Sequence, residues 1–209
     1  VKVDFELIDP DKMSAEELEE ALKDAQGIIV GGGLDEKASE GKIAAARYAR
    51  ENKIPYLGDC LGMQVAVVDF ARNVAGIAGA TSGELDPASD VDVICHNGRE
   101  GNGKDSIRLG SVVMSIVPDT LAFEAYKESS VEERHRHRYE LCERFEDELV
   151  AAGLVISARS ADGKTVEMIE CADHPWFVGI LGQPEYKSRP TAPAPLFRDF
   201  VGAAIKQAK

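Results

Sequence analysis

The chain has 209 residues, 44% of them hydrophobic and 29% charged, and its 37 acidic and 24 basic side chains give a net charge of −13. This length predicts one globular domain spanning residues 1–209, and the acidic balance argues against nucleic-acid or anionic-membrane partners. Because no stretch approaches the roughly 20 apolar residues of a membrane span and residues 1–12 lack the apolar region of a signal peptide, a cytoplasmic location is expected.

The chain begins with a pattern that predicts a strand followed by a helix. Val3, Phe5 and Leu7 alternate with polar residues, which is the period of a strand. The next segment has Ser14 and Glu17 in the spacing of a capping box, ahead of an apolar stripe of helical period.

The first third of the chain continues with alternating strands and helices. Apolar runs predict strands at 27–33 and 54–60, and helices are predicted at 40–52 and 61–76. Strands that alternate with helices indicate parallel pairing and an α/β fold.

From Gly79 onward the sequence changes to short β-rich pieces separated by turn residues. A closing helix is predicted from the shared apolar face of Phe197, Phe200 and Val201. The polar, Gly-rich segment 96–105 is predicted to be a mobile loop.

The four cysteines lie far apart and form no C-x-x-C pair. Neither a disulfide framework nor a zinc site is therefore expected, and no cofactor is predicted. The cysteines are Cys60, Cys95, Cys142 and Cys171.

The candidate chemistry is concentrated at 58–62, Gly-Asp-Cys-Leu-Gly, where an apolar strand turns directly into a helix. A G-x-C-x-G turn presents a nucleophile at a helix N-terminus, as G-x-S-x-G does in hydrolases. The helix dipole favours a Cys60 thiolate, and the Leu61 amide is placed to stabilise an oxyanion. The alternative interpretation is that Cys60 is a buried core thiol beside a helix-packing glycine.

Three long blocks of the sequence resemble the glutaminase domain of CTP synthase, a triad-type class I glutamine amidotransferase. They are residues 40–76, RHRHRYE at 134–140, and DHPWFVG at 173–179 followed by PEYKSRP at 184–190. The resemblance implies a three-layer, flavodoxin-like α/β fold, with a mostly parallel central sheet flanked by helices and additional antiparallel β-hairpins. In such domains Cys attacks the glutamine amide, His shuttles protons, Glu orients the His, and ammonia passes to a synthetase domain.

The resemblance places the catalytic residues at Cys60 and Glu185, with glutamine as the ligand. It also implies these substrate contacts: Gly33, Leu61, Gln64, Glu84 and Arg138. Glu84 can pair with an α-ammonium group and Arg138 with a carboxylate. The segment 134–139 is predicted to be a strand, with its three arginines on one face and His135, His137 and Tyr139 on the other. His135 and His137 could chelate a metal in principle, but no third ligand is spaced to join them and no metal is expected.

The family's catalytic histidine stands in the pattern H-P-E, and this chain has Gln183, Pro184 and Glu185 there. A glutamine side chain cannot accept a proton near neutral pH. General acid–base catalysis typically contributes about 10²–10⁴ in rate, so ordinary glutaminase activity is expected to be lost or strongly reduced. His174 is expected to be structural beside Trp176, and His96 is expected to be an exposed loop residue.

Two further departures lie close to the same chemistry. The family's oxyanion strand reads P-G-G-F-G-x-R-G, whereas residues 31–38 read Gly-Gly-Gly-Leu-Asp-Glu-Lys-Ala, which puts the oxyanion hole in doubt. Asp59 occupies a position that is apolar in the family, and its carboxylate would raise the pKa of Cys60. The alternative role for Asp59 is that of a substitute base.

The resemblance also defines what the 209 residues do not contain. The family's synthetase domain is not among them, no P-loop motif occurs, and the family domain opens with a strand and helix ahead of the segment matching Val1. We therefore interpret the chain as one amidotransferase-like domain without that first unit, with a separate synthetase subunit as a candidate partner.

Three hypotheses follow for its function. The leading one is a glutamine-type pocket whose hydrolytic activity is lost or strongly reduced. The second is an active Cys-dependent amidohydrolase or transferase acting on another amide or γ-glutamyl substrate. The third is an amino-acid-sensing or partner-docking module.

Overall fold

A computed structural model describes residues 2–33, 40–96 and 107–208. The helices are α1 Ala15–Leu22, α2 Glu40–Glu51, α3 Leu61–Asn73, α4 Leu121–Tyr126, α5 Glu143–Ala151 and α6 Pro195–Gln207, with short 3₁₀ helices at Pro10–Lys12 and Pro184–Tyr186. The strands are β1 Ile28–Val30, β2 Tyr56–Asp59, β3 Thr81–Ser82, β4 Asp92–His96, β5 Arg108–Ile116, β6 Ser130–His137, β7 Tyr139–Leu141, β8 Leu154–Ser160, β9 Val166–Cys171 and β10 Phe177–Ile180.

The central sheet has seven strands in the order β1-β2-β10-β9-β8-β5-β6. Strands β1, β2 and β10 pair in parallel, and the remaining pairs are antiparallel. A second sheet has the order β3-β4-β7. The predicted α/β class with added antiparallel hairpins is confirmed. The sheet is mixed, with two parallel and four antiparallel pairs among the described strands, and not mostly parallel as expected.

Two apolar cores lie on opposite faces of the central sheet. Tyr56 and Phe177 belong to the core shared with α1, α2 and α3, while Leu57 and Val178 belong to the core shared with α4 and α6. Successive side chains of a strand point to opposite faces, so a strand buried on both faces is apolar throughout. This arrangement gives the three predicted layers.

Helix α1 begins where the sequence indicates. The Ser14 side chain accepts a hydrogen bond from the Glu17 N–H, and the Glu17 carboxylate accepts one from the Ser14 N–H. Leu18 and Leu22 are buried on the inner face. The predicted capping box and apolar stripe are both confirmed.

The strand predicted at Val3, Phe5 and Leu7 is wrong. These residues form no regular element, and Leu7 is fully exposed while Phe5 is 84% exposed. A strand needs a neighbour for its N–H and C=O groups, and no described strand pairs with this segment. Alternation of apolar and polar residues was therefore not enough to predict a strand in this segment.

Helices α4 and α5 were not predicted. Thr120 caps α4 by accepting a hydrogen bond from the Phe123 N–H at 3.1 Å. The buried carboxylate of Glu170 on β9 accepts bonds from the N–H groups of Leu121 and Ala122, both at 2.9 Å. A distant side chain thus stabilises a helix too short to show a clear periodicity.

The expectation of four unpaired cysteines is also wrong. Cys95 of β4 and Cys142, directly after β7, form a disulfide across 47 positions of sequence. The two strands are neighbours in the second sheet, which spacing could not show. His96, expected in a loop, is the last residue of β4 and stacks edge-on against Tyr139. Apart from His96, the predicted mobile segment lies outside the described residues.

Across the described ranges, the helices are all too short or too polar to cross a membrane.

Candidate active site

Cys60 lies in the turn that joins β2 to α3 and has a backbone φ of 49° and ψ of −102°. Its N–H donates to the Ile180 carbonyl at 2.8 Å, and its carbonyl accepts from the Gln64 N–H at 3.2 Å. A positive φ at a non-glycine residue is strained and is kept only where neighbouring bonds hold the backbone. The predicted strand–turn–helix context of Cys60 is confirmed.

The two glycines of this turn are required by close backbone approach. A Cβ added to Gly62 would lie 2.0 Å from the Val30 carbonyl oxygen, and one added to Gly58 would lie 2.6 Å from Gly62. The Tyr56 hydroxyl donates to the Gly62 carbonyl at 2.8 Å and so stabilises the turn. Tyr56 was not predicted, since nothing in the motif indicates it.

The Cys60 thiol lies in an unfavourable environment for a thiolate. The residue is 3% exposed, and burial together with the charges of Asp59, Glu84 and Glu185 raises its pKa from 9.0 to about 12. The Leu61 N–H lowers the pKa but does not offset these effects. The expected benefit of the helix N-terminus is therefore outweighed by burial and acidic neighbours.

Asp59 is the last residue of β2 and is 6% exposed. Burial, with a smaller contribution from Glu185, raises its pKa from 3.8 to about 7, and the Gly32 N–H partly offsets the shift. The carboxyl group is therefore close to half ionised at neutral pH.

Three candidate side chains meet at Gly32, which follows β1 and is itself exposed. A Cβ atom added to Gly32 would lie 3.0 Å from Asp59 Oδ1, 3.3 Å from Cys60 Cβ and 3.6 Å from Gln183 Nε2. Glycine is the residue that leaves this space open.

The next residue, Gly33, lies beside a lysine. The Cβ position of Gly33 would be 3.8 Å from both Leu61 Cδ2 and Lys42 Nζ. Lys42 was not predicted, although its place in the first turn of α2, after the glycines, is a usable signal. Residues 34–39, the remainder of the predicted oxyanion strand, lie outside the described residues.

Gln183 follows β10, and its N–H donates to the Arg134 carbonyl at 2.8 Å. Its side chain is largely buried, and Oε1 accepts no hydrogen bond within the described residues. Glu185, in the 3₁₀ helix that follows, has a pKa raised by burial. The structure thus brings Gln183 next to Cys60, while Glu185 acts on Cys60 through its charge.

The predicted ligand contacts come from three further elements. Gln64, one helical turn after Cys60, donates through Nε2 to the Tyr139 carbonyl at 3.4 Å. Glu84 follows β3 and is half-buried, with its N–H bonded to Ser82. Arg138 lies between β6 and β7, and its buried Nε has no hydrogen-bond partner in the described chain.

The RHRHRYE segment shows the predicted alternation. Arg134 and Arg136 are exposed, whereas His135 and His137 are buried. His135 Nδ1 lies 3.1 Å from His137 Nε2, and His137 Nδ1 lies 3.1 Å from the Tyr139 carbonyl. One strand was expected, but Arg138 divides it into β6 and β7 because the chain passes there from one sheet to the other.

The remaining histidine, His174, makes hydrogen-bond contacts within the fold. His174 Nδ1 accepts from the Trp176 N–H at 3.1 Å, and Nε2 lies 3.2 Å from the Ala49 carbonyl. The expected role of His174 beside Trp176 is confirmed. Among the described residues, no three His, Cys, Asp or Glu side chains form a metal-ligand group.

The sequence is similar to known amidotransferases over almost its entire length. The family described as glutamine amidotransferase class-I matches residues 1–203. CTP synthase of Listeria monocytogenes is 46% identical over 208 residues, which is 98% of this chain and 39% of that protein. CTP synthase of Carboxydothermus hydrogenoformans is 47% identical over 211 residues, which is 100% of this chain and 39% of that protein.

A solved structure supports the same relationship. The glutaminase domain of Trypanosoma brucei CTPS with bound acivicin superimposes with a TM-score of 0.93 at 36% identity, covering 99% of this chain and 82% of that one. At this TM-score and identity, this chain has the same fold as that glutaminase domain and is related to it in sequence. The chain spans about two fifths of the length of the CTP synthases named above.

Proposed function

Because the chain belongs to the class-I glutamine amidotransferase family, we propose that it is a CTP-synthase-type domain that binds glutamine or a close relative but hydrolyses glutamine slowly or not at all. The observation that carries this proposal is the surroundings of Cys60. Gln183 replaces the imidazole implied by the family pattern, and Asp59 stands beside the thiol. A thiol with a pKa near 12 and no imidazole in the position of the family's histidine is a poor nucleophile at neutral pH.

Retention of the pocket is supported by buried polar atoms that have no hydrogen-bond partner among the described residues. Arg138 presents a buried guanidinium nitrogen without a described partner, and Gln64 Oε1 is likewise unpaired. Buried polar groups normally have partners, so these atoms are suited to a ligand. We assign Arg138 to the α-carboxylate and Glu84 to the α-ammonium group of an amino acid.

Ammonia release from glutamine by the purified protein tests the loss of activity. Typical enzymes turn over at about 1–10³ s⁻¹, and loss of acid–base catalysis removes about 10²–10⁴ of rate. We expect turnover at or near the background set by a Cys60→Ser variant. Turnover of about 1 s⁻¹ or more by the unmodified protein would refute the proposal.

Calorimetry with glutamine tests the retained pocket separately. Arg138→Ala should weaken glutamine binding by about tenfold or more, because a charge-assisted bond to the carboxylate is lost. Arg134→Ala, at an exposed position of the neighbouring strand, is the matched control and should leave the affinity unchanged. Equal affinities of the two variants would contradict the assignment of Arg138.

A second candidate function is favoured by the raised pKa of Asp59. A group that titrates near neutral pH suits general acid–base catalysis, so Asp59 is a candidate proton acceptor for Cys60 acting on another amide or γ-glutamyl substrate. A glutamine analogue bearing an electrophile should then increase the mass of the peptide that contains Cys60. Failure to modify Cys60, with glutamine binding intact, would argue against this function.

The proposed protein partner is a synthetase part, on the same or another chain. The matched relatives are named CTP synthase and extend well beyond the region shared with this chain. Co-purification with such a part would test the partnership, and a docking or amino-acid-sensing role would require ligand-dependent association.

A further inference from the structure

The end of the pocket that contains Cys60 is rich in hydrogen-bond acceptors. We call it the Cys60 end and define it by Asp59, Cys60 and Gln183, which meet at Gly32. Gln64 lies one helical turn further along α3, on the same side of the helix as Cys60. Three side-chain oxygens of these residues have no hydrogen-bond partner among the described residues: Asp59 Oδ1, Gln64 Oε1 and Gln183 Oε1.

Each residue that carries one of these oxygens is at least nine-tenths buried. Asp59 is 6% exposed, Gln64 is 2% exposed and Gln183 is 9% exposed. Leaving a buried acceptor unpaired is unfavourable, so these oxygens favour a ligand that supplies donors. Asp59 Oδ1 is the acceptor that lies at Gly32, 3.0 Å from the Cβ position, with Gln183 Nε2 at 3.6 Å. The exposed backbone at Gly32 leaves the point of convergence open to solvent.

The charge of this end is opposite to what amide hydrolysis needs. Attack on an amide develops negative charge on oxygen and requires a thiolate, and an ionised Asp59 destabilises both. A positively charged group is stabilised by the same carboxylate. Glu185 and Glu84 also act on Cys60 with negative charge, so the local field favours a cation.

We propose that the Cys60 end of the pocket binds a protonated amine, so that the preferred ligand is an α-amino acid of glutamine's length whose side chain ends in an ammonium group. An ammonium group has three donors and no acceptor, which matches an acceptor set that includes a carboxylate. The inference rests on the proposed function, because the α-carboxylate and α-ammonium groups are assigned to Arg138 and Glu84.

A lysine of the described part of the chain lies close to this region. Lys42 of α2 brings its Nζ beside Gly33, one residue beyond Gly32. Asp59 Oδ1 nevertheless has no hydrogen-bond partner in the described part of the chain. Among the described residues, the charged groups near the Cys60 end are Lys42 from α2, Asp59 from β2, Glu84 after β3 and Glu185 after β10.

Calorimetry with three amino acids at pH 8 tests the proposal. L-ornithine has the ammonium group in place of glutamine's amide nitrogen, L-norleucine has a methyl group there, and L-glutamine is the neutral amide. We expect ornithine to bind about tenfold or more tightly than norleucine, since a bond between two charged groups is among the stronger ones. At pH 6 the ratio should be smaller, because Asp59 is then mostly protonated while the ligand stays charged.

A matched pair of variants identifies the group responsible. Asp59→Asn should bring the ornithine-to-norleucine affinity ratio close to one while norleucine affinity is kept, which shows that the pocket remains folded. Asp147→Asn, at an exposed position of α5, is the control and should keep the ratio of the unmodified protein. A ratio near one in the unmodified protein, or a ratio unaffected by Asp59→Asn, overturns the proposal.

The outcomes also distinguish this proposal from the proposed glutamine pocket and from binding of a free ammonium ion. If glutamine binds without hydrolysis and ornithine shows no preference, only the ammonium site is refuted, whereas binding of none of the three amino acids refutes the proposed pocket as well. Norleucine in the presence of ammonium chloride tests a free ammonium ion as the cation. If that mixture binds more tightly than ornithine, the assignment to a diamino acid is overturned.

Discussion

The reactivity of Cys60 toward an alkylating reagent is the sharpest consequence of its surroundings. A pKa raised from 9.0 to about 12 lowers the thiolate fraction about 1,000-fold, from about one in ten at pH 8 to about one in ten thousand. The rate of modification by iodoacetamide should therefore keep rising about tenfold per pH unit beyond pH 9. Replacing Asp59 with Asn removes the largest charge effect on the thiol and should speed labelling at pH 8 by about tenfold.

Cys171 provides a control within the same molecule. It is also buried and has a pKa of about 12, but the charges that act on it include that of Arg50 and not that of Asp59. Peptide mass spectrometry should show faster labelling of Cys60 in the Asp59→Asn variant and an unchanged rate at Cys171. Labelling of Cys60 that levels off near pH 9, or equal acceleration of both cysteines, would refute the reasoning.

Three further predictions concern stability, each measured as the free energy of unfolding in denaturant. Gly62→Ala should cost about 3 kcal/mol or more, because its methyl group meets the β1 backbone, whereas Gly202→Ala on α6 has free space and should be neutral or stabilising. The raised pKa of Asp59 contributes stability at low pH that is lost as the pH rises from about 4 through 7. Asp59→Asn should abolish this loss, of up to about 4 kcal/mol, and an unchanged pH profile would contradict the shift. Reducing the Cys95–Cys142 bond should lower stability by about 4 kcal/mol, given the 47-position loop, and a Cys142→Ser variant should not respond to reductant.

Local features of the fold were predictable because neighbouring residues determine them. The capping box at Ser14 and Glu17 depends on residues three positions apart, and the turn at Cys60 depends on small residues on either side. The strand predicted at Val3 failed because pairing depends on a second segment. Helix α4 was missed for a related reason, since the carboxylate of Glu170 on a distant strand completes its N-terminus.

The candidate residues of the pocket came from the resemblance, and the structure brings Asp59, Cys60 and Gln183 together at Gly32. Neither the open space at Gly32 nor the nearby amine of Lys42 could be predicted. Both depend on how β1 and α2 approach the turn at Cys60, which is a matter of packing. The presence of Gln183 where the resemblance implies a histidine, in contrast, was predicted from the motif alone.

By itself, the sequence determined the α/β class, the strand–turn–helix context of Cys60, the alternating faces of 134–137 and the glutamine that precedes Pro184 and Glu185. These depend on spacing and residue type, which the chain carries directly. Only the tertiary structure decided the Cys95–Cys142 pairing and the acceptor-rich surroundings of Cys60. The parallel pairing of β2 with β10 joins segments that are distant in sequence, and burial then sets the pKa values of Asp59 and Cys60.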